Sequence, residues 1–203
     1  MKNSSHVIAF LSAFFFLSLS IPAYSQASEK RAPERGVRYI SGKAKASNSN
    51  GHAPKKQTIA LERSELKLDA DSANLEKETF DLINLRRLER GLKELKWSDE
   101  LADLARTHSE NMAVYGFFSH IGLNGRLVDR RAADSGIDKW QGIGENIAFN
   151  KGFANPTSLA VERWMLSAGH KLNLLDSRWT ESGLGIAVTK DGKYFFTQIF
   201  IFR

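Results

Sequence analysis

Two histidines and one glutamate are the side chains in this sequence best suited to chemistry. His120 follows a Phe-Phe-Ser run, Glu145 lies in a Gly-Glu-Asn triplet, and His170 follows a Ser-Ala-Gly run. Imidazole and carboxylate groups bind divalent metals, and the same groups exchange protons near neutral pH. The three residues are 25 positions apart at each step, so only the fold can bring them together. Their types predict either a metal site or a metal-free hydrogen-bonded cluster, since two imidazoles also satisfy a buried carboxylate.

The absence of cysteine excludes several other chemistries. It rules out disulfides, thiolate metal sites, a cysteine nucleophile and the lipidated cysteine of a lipoprotein. The sequence also lacks the H-E-x-x-H and G-x-S-x-G patterns of zinc metalloproteases and serine hydrolases. His108 falls on an apolar helical stripe, so we expect it to be buried and hydrogen-bonded. His6 and His52 precede the predicted domain and are not site candidates.

The first 27 residues have the three parts of a secretory signal peptide. Lys2 gives a positive start, an uncharged apolar stretch runs from Val7 to Ile21, and Pro22 is followed by small residues up to Ala27. This apolar stretch is too short to span a bilayer comfortably. We therefore predict a signal peptide over residues 1–27, cleaved after Ala27, with an uncleaved anchor as the alternative.

Residues 28–58 differ in composition from the rest of the chain. They are rich in Ser, Ala, Gly, Asn and Lys, and they carry eight Lys or Arg against two Glu, a net charge of +6. Residues 59–203 carry 20 basic and 21 acidic side chains, so the basic character belongs to the earlier segment. We predict a disordered basic linker over residues 28–70, because it has too few apolar side chains to bury. It is either a solvated spacer or a contact for anionic polymers and lipid head groups.

The remaining residues, 71–203, are predicted to form one domain that begins with helices. A helical pattern runs from Asn74 to Arg90 and is ended by Gly91. A second helix follows Ser98, which suits the N-cap position. Asn155-Pro156 opens a third helix, with asparagine as the cap and proline at the first helical position. The apolar stripe of the second helix consists of Trp97, Leu101, Leu104, Ala105, His108 and Met112.

The C-terminal end of the chain is predicted to be a β-hairpin. Apolar residues alternate from Leu184 to Val188, and Asp191-Gly192 predicts a two-residue turn. The return strand, from Tyr194 to Phe202, is apolar on both faces, so both faces must be covered. Since helices precede an antiparallel hairpin, the predicted fold class is α+β, a three-layer α-β-α sandwich with a central antiparallel sheet.

Eight short motifs occur here in the same order as in bacterial CAP domains. That superfamily includes cysteine-rich secretory proteins, plant pathogenesis-related proteins of class 1 and insect venom antigen 5. The motifs are Asn84-x-x-Arg87, Leu95-Lys96-Trp97, Leu101-x-x-x-Ala105, His108-Ser109-x-x-Met112, Phe118-Ser119-His120, Gly144-Glu145-Asn146-Ile147-Ala148, Trp164-x-x-Ser167-x-Gly169-His170-x-x-Asn173-x-Leu175 and Gly183-Leu184-Gly185-Ile186. No single motif is specific, but eight in order over residues 74–203 are. The domain therefore resembles a bacterial CAP domain, and the resemblance implies the same α-β-α sandwich.

The resemblance also implies a cavity lined by two histidines and two glutamates. By motif, His120 and His170 match the two histidines, and Glu145 matches the first glutamate. In the animal and plant branches the second glutamate lies three residues after a helix tryptophan, where this chain has Ser167. Asn146 and Ser167 are expected to support the site, Asn146 by fixing a turn. The two histidines are the expected ligands if the cavity holds a divalent metal such as zinc.

These features favour a binding or interaction module over an enzyme. A metallohydrolase needs three protein ligands, an open water position and a separate base, and the motifs leave no spare carboxylate. CAP proteins bind lipids or sterols, contact other proteins or block ion channels, so the resemblance implies a lipid, an envelope polymer or a protein as partner. Nucleic acid is disfavoured, because the domain has no net positive charge. We expect a secreted monomer, extracellular or periplasmic, and the alternative is a metal-dependent hydrolase of peptides or envelope polymers.

Overall fold

The computed structural model describes residues 37–40 and 70–203, and the elements below belong to those residues. The helices are α1 (Ala70–Leu88), α2 (Asp99–Tyr115), α3 (Val128–Asp134), α4 (Pro156–Leu166) and α5 (Ala168–Leu174). The strands are β1 (Val37–Ile40), β2 (Lys96–Trp97), β3 (Gly142–Lys151), β4 (Glu181–Val188) and β5 (Lys193–Phe202). The predicted signal peptide, 1–27, and linker residues 28–36 and 41–69 lie outside the described residues. Among the described helices, none has both the length and the apolar character of a membrane span.

The described strands form one sheet in the order β1-β3-β5-β4-β2. β3, β5 and β4 pair antiparallel, with Glu145 opposite Ile199 in the first of these pairings. β1 pairs antiparallel with the first half of β3, so four residues of the segment predicted as a linker form a strand. β2 runs parallel to the start of β4 over two residues. So short a strand shows no alternation of apolar and polar residues by which the sequence could predict it. The α+β fold class is confirmed, with this one parallel pair added to the antiparallel sheet.

β5 is covered on both faces, as its sequence predicts. Phe196 and Phe200 belong to an apolar core that α1, α4 and α5 share with the sheet. Ile199 and Ile201 belong to a second core, which α2 and α3 complete. The molecule therefore has three layers, with α1, α4 and α5 on one face of the sheet and α2 and α3 on the other. Burying one such side chain contributes about 1.5–3 kcal/mol, so neither face of β5 could stay uncovered.

Helix α2 lies directly against β4 at two glycines. A Cβ atom on Gly183 or on Gly185 would collide with backbone atoms of α2. The residues between and after them, Leu184 and Ile186, point into the core on the opposite face of the sheet. This alternation explains the Gly-Leu-Gly-Ile motif, because only glycine lets a helix approach a strand so closely. The contact fixes α2 on the sheet and so fixes the segment after α2, which carries His120.

The hairpin turn differs from its prediction by one residue. Thr189 and Lys193 pair through the Thr189 N–H and the Lys193 carbonyl oxygen, which leaves three residues in the turn instead of two. Gly192, the last of the three, has a φ of 80°, in the left-handed region. Three-residue turns that end in a left-handed glycine are common in hairpins, and the Asp-Gly pair is compatible with both lengths.

Candidate functional site

His120 lies in the segment after α2, and this segment is anchored to the helix. Gly116 ends α2 with a left-handed backbone (φ 64°), and its N–H bonds to the carbonyl oxygen of Met112. Nε2 of His108 donates to the carbonyl oxygen of Ser119 at 3.0 Å, next to His120 in sequence. Burial lowers the pKa of His108 to about 4, so the ring is neutral at neutral pH. His108 is thus the buried, hydrogen-bonded histidine that its position predicts, and it holds the segment that presents His120.

Glu145 is fully buried in β3 and is engaged through both carboxylate oxygens. Oε1 accepts a hydrogen bond from Nδ1 of His120 at 2.7 Å, and Oε2 pairs with Nη2 of Arg131. Burial raises the pKa of this carboxyl, but the Arg131 charge and the His120 hydrogen bond outweigh burial. The net result is a Glu145 pKa below its ordinary value. The group is therefore an ionised carboxylate that orients His120.

Arg131 is the site residue that the sequence analysis missed. It lies on α3, is only 9% exposed, and places Nη2 within 3.5 Å of the carbonyl oxygen of His120. A buried arginine is rare unless it is paired, and here Glu145 is its partner. Val128 and Ala132 are also buried on this helix. The spacing of Arg131 from Val128, three residues, is the signal that could have found it, because such residues share a helical face.

Asparagine side chains join β3 to α5, the separate helix that begins after Ser167. Asn146 lies inside β3, not in the predicted turn, and its Nδ2 donates to the carbonyl oxygen of His170 at 3.1 Å. Asn173 donates to the carbonyl oxygen of Glu145 at 3.1 Å and to Oδ1 of Asn146 at 3.0 Å. Asparagine is a common turn residue, but here it lies in a strand, and Gly142 of that strand makes room for the ring of Phe202 of β5. These bonds fix the backbone of His170 relative to Glu145.

The side chain of His170 is buried and close to His120. Burial and, to a smaller extent, the charge of His120 lower the pKa of His170 to about 4. Within the described part of the chain, Nε2 of His170 and Nε2 of His120 are buried without a hydrogen-bond partner. The structure thus joins His120 to Glu145 directly and brings His170 within electrostatic range of His120.

A cleft of about 430 Å³ opens beside His170. Six apolar side chains line it together with three polar ones, and the set is Phe118, Ile147, Ala148, Phe149, Trp164, Leu166, Arg163, Ser167 and His170. Ser167 stands where the animal and plant branches have their second glutamate, so this cleft has a hydroxyl in place of a carboxylate. Phe118 and Phe149 pack edge to face with ring centroids 4.7 Å apart. Leu166, at the end of α4, is 86% exposed and lines this cleft.

The donors of the site fit a divalent metal only in part. Nε2 of His120 and Nε2 of His170 are suitable ligands, and a carboxylate behind a histidine is the usual outer partner of a metal-binding imidazole. Catalytic zinc sites take three protein ligands. Among the residues that the structure describes, no group of three or more His, Cys, Asp or Glu side chains is arranged to hold a metal ion. Glu145 does not complete such a set, because Arg131 and His120 already engage its two oxygens.

The fold and this polar group together define a class of protein, an α-β-α sandwich with two histidines and a glutamate beside β3. The chain belongs to the CAP family, the cysteine-rich secretory protein family, whose model matches residues 80–200. The resemblance seen in the ordered motifs is therefore confirmed.

Two Bacillus subtilis proteins are similar to this chain in sequence. The uncharacterized membrane protein YlbC is 40% identical over 129 residues, which make up 63% of this chain and 34% of YlbC. The uncharacterized protein YkwD is 34% identical over 110 residues, which make up 54% of this chain and 41% of YkwD. The chain thus matches less than half the length of these relatives.

Solved structures of other bacterial proteins share the fold. An extracellular protein containing an SCP domain from Bacillus anthracis has a TM-score of 0.58 and 30% identity, over 67% of this chain and 44% of that one. An outer surface protein from Borrelia burgdorferi has a TM-score of 0.55 and 19% identity, over 64% of this chain and 93% of that one. The bacterial structures similar to this domain therefore include an extracellular protein.

Proposed function

We propose that this chain is an exported, non-enzymatic binding module that holds an anionic amphiphile in the cleft beside His170. The observation that carries the proposal is the lining of the cleft, six apolar side chains next to a buried neutral imidazole. Small-molecule sites are typically apolar clefts of about 300–1,000 Å³ with a few polar groups that orient the ligand. Export is supported by the predicted signal peptide and by the extracellular protein among the structural neighbours.

The charges near the cleft favour an anionic head group. Arg163 lines the cleft, and Nζ of Lys193 lies 4.4 Å from the ring centroid of Phe149, another lining residue. His170 is neutral at neutral pH, so Arg163 and Lys193 supply the positive charge. The apolar lining would hold the hydrocarbon part, and Ser167 and His170 offer hydrogen bonds. A long-chain fatty acid has this chemistry.

Fluorescence titration of the mature protein with cis-parinaric acid tests the proposal. We expect saturable binding that Leu166→Asp weakens at least tenfold, because burying a leucine contributes about 1.5–3 kcal/mol and tenfold corresponds to about 1.4 kcal/mol. Leu172→Asp is the matched control, since Leu172 is an exposed leucine of the neighbouring helix α5 that does not line this cleft. Absence of saturable binding, or equal weakening by the two substitutions, would contradict the proposal.

A divalent cation shared by His120 and His170 is the second candidate. It is favoured by the two buried Nε2 atoms, which have no hydrogen-bond partner among the described residues, and by the carboxylate of Glu145 behind His120. Both imidazoles would hold the cation, which when bound would polarise a ligand oxygen. Metal analysis of the purified protein, alone and as His120→Ala or His170→Ala, tests this site. One equivalent lost in both variants supports it, and equal metal content in all three proteins contradicts it.

The alternative of a metal-dependent hydrolase has a separate test. Turnover of a peptide library and of envelope polymer is measured with and without added zinc. Metal-dependent turnover that either histidine substitution abolishes would overturn the non-enzymatic assignment, while leaving the cleft test intact. The incomplete ligand set, two imidazoles where three protein ligands are usual, is the reason we place this function below the two binding functions.

A further inference from the structure

The imidazole of His120 is held at one nitrogen and unpartnered at the other. Nδ1 lies 2.7 Å from Oε1 of Glu145, and Nε2 is buried without a partner among the described residues. A neutral imidazole carries its proton on one nitrogen and a lone pair on the other. Because a carboxylate only accepts hydrogen bonds, Nδ1 must be the protonated atom. In the neutral ring, Nε2 then presents the lone pair, which can accept a hydrogen bond from a ligand or bind a cation.

This arrangement requires that Glu145 keep one orientation, and Arg131 supplies the restraint. The Arg131 guanidinium pairs with Oε2, which leaves Oε1 for His120. The same Nη2 atom lies 3.5 Å from the carbonyl oxygen of His120, so Arg131 contacts both partners of the hydrogen bond it supports. Glu145 is fully buried and Arg131 is 9% exposed, so solvent has little access to replace either contact.

We propose that Arg131 is a positioning residue that keeps His120 in the Nδ1–H tautomer, with Nε2 available as an acceptor. Arginine has only donors, so whatever faces Arg131 at position 145 must be an acceptor. Arg131 thereby determines which atom of residue 145 remains to face His120. This role of Arg131 rests on the proposed binding function, because the Nε2 acceptor of His120 serves a bound ligand. Its measurement needs neither ligand nor metal.

The sharpest test exploits this selection with Glu145→Gln. The introduced amide has one acceptor oxygen and one donor NH₂ group. If Arg131 positions the residue, it takes the amide oxygen, the NH₂ group faces Nδ1 of His120, and the ring must move its proton to Nε2. If Arg131 does not position it, the amide oxygen can accept from Nδ1, and the tautomer stays as in the native protein.

Long-range ¹H–¹⁵N correlation spectra of the labelled mature protein report the tautomer, with His120 assigned by its loss in His120→Gln. We expect an unprotonated Nε2 in the native protein, and a protonated Nε2 in Glu145→Gln. Adding Arg131→Leu to Glu145→Gln should return Nε2 to its unprotonated state, because the amide oxygen can then face Nδ1 of His120, whereas Arg131→Lys in the same background keeps a cationic donor and should leave Nε2 protonated. Arg126→Leu is the control, because Arg126 is a half-exposed arginine paired with Asp134 of α3.

The native tautomer persisting in Glu145→Gln would overturn the proposal, and so would an Nε2 that stays protonated when Arg131→Leu is added to Glu145→Gln. If the double variant does not fold, the Glu145→Gln spectrum alone decides. A native protein that binds no cis-parinaric acid but shows the expected tautomers would refute the proposed function and leave the role of Arg131 standing.

Discussion

Breaking the Glu145–Arg131 ion pair from one side should destabilise the domain more than removing both charges together. Glu145 is fully buried and Arg131 is 9% exposed, so either group left alone is a buried charge. Arg131→Leu leaves the carboxylate with His120 as its remaining partner, and Glu145→Leu leaves the guanidinium without its carboxylate. Removing one partner of a buried pair costs about 3–5 kcal/mol. We expect each single substitution to lower the free energy of unfolding by that amount.

The double substitution leaves no charge behind. Its remaining cost is Nδ1 of His120, which loses its acceptor, and an unsatisfied buried donor costs about 1–3 kcal/mol. Two additive single substitutions would cost about 6–10 kcal/mol together, so the double variant should depart from additivity by at least about 3 kcal/mol. The double variant should also be more stable than either single variant.

Urea unfolding of the four proteins, followed by tryptophan fluorescence and circular dichroism, gives the four free energies. Arg126 and Asp134 form a matched control cycle, because they are also an arginine–carboxylate pair but are 36% and 44% exposed. Exposed pairs contribute about 0–1 kcal/mol, so this cycle should be nearly additive. If the costs at Glu145 and Arg131 simply add, the two charges are not coupled, and Glu145 and Arg131 do not form a buried ion pair in the folded protein.

Two further substitutions test how the fold supports the site. Gly185→Ala should lower the free energy of unfolding by more than about 3 kcal/mol, because its Cβ meets the backbone of α2, whereas Gly142→Ala meets only the ring of Phe202 and should cost about 1 kcal/mol. Equal costs in urea unfolding would contradict the close contact between α2 and β4. The pKa of His108 is about 4 in the folded protein and about 6.5 when unfolded, so burial of the neutral ring stabilises the fold above pH 6.5. That stabilisation, about 3 kcal/mol, should be lost as the pH falls from 6.5 to 4 in the native protein. The loss should be about 3 kcal/mol smaller in His108→Gln, where His170 still titrates with its own pKa of about 4, and parallel pH curves of unfolding free energy would contradict this.

The predictions that succeeded rest on local patterns. The doubly apolar strand from Tyr194 to Phe202 predicted helix layers on both faces of the sheet, and both are present. Ser98 and Pro156 marked the starts of two helices correctly. The contacts that were missed depend on pairing between distant segments, which leaves no period in the sequence. The contact of Arg131 with Glu145 joins α3 to β3 across 14 residues, and neither residue alone signals it.

The alternation of side chains along β3 explains why the glutamate and the asparagine are adjacent in sequence. Neighbouring residues of a strand point to opposite faces of the sheet. Glu145 therefore meets the layer of α2 and α3, where it holds His120, while Asn146 meets the layer of α5, where it holds the backbone of His170. The two histidines come from different layers and approach each other beside β3. β1 pairs with β3 only from Gly142 to Glu145. Because one residue serves each layer, a shift of β3 by a single position would exchange the two partners and separate both histidines from their supports.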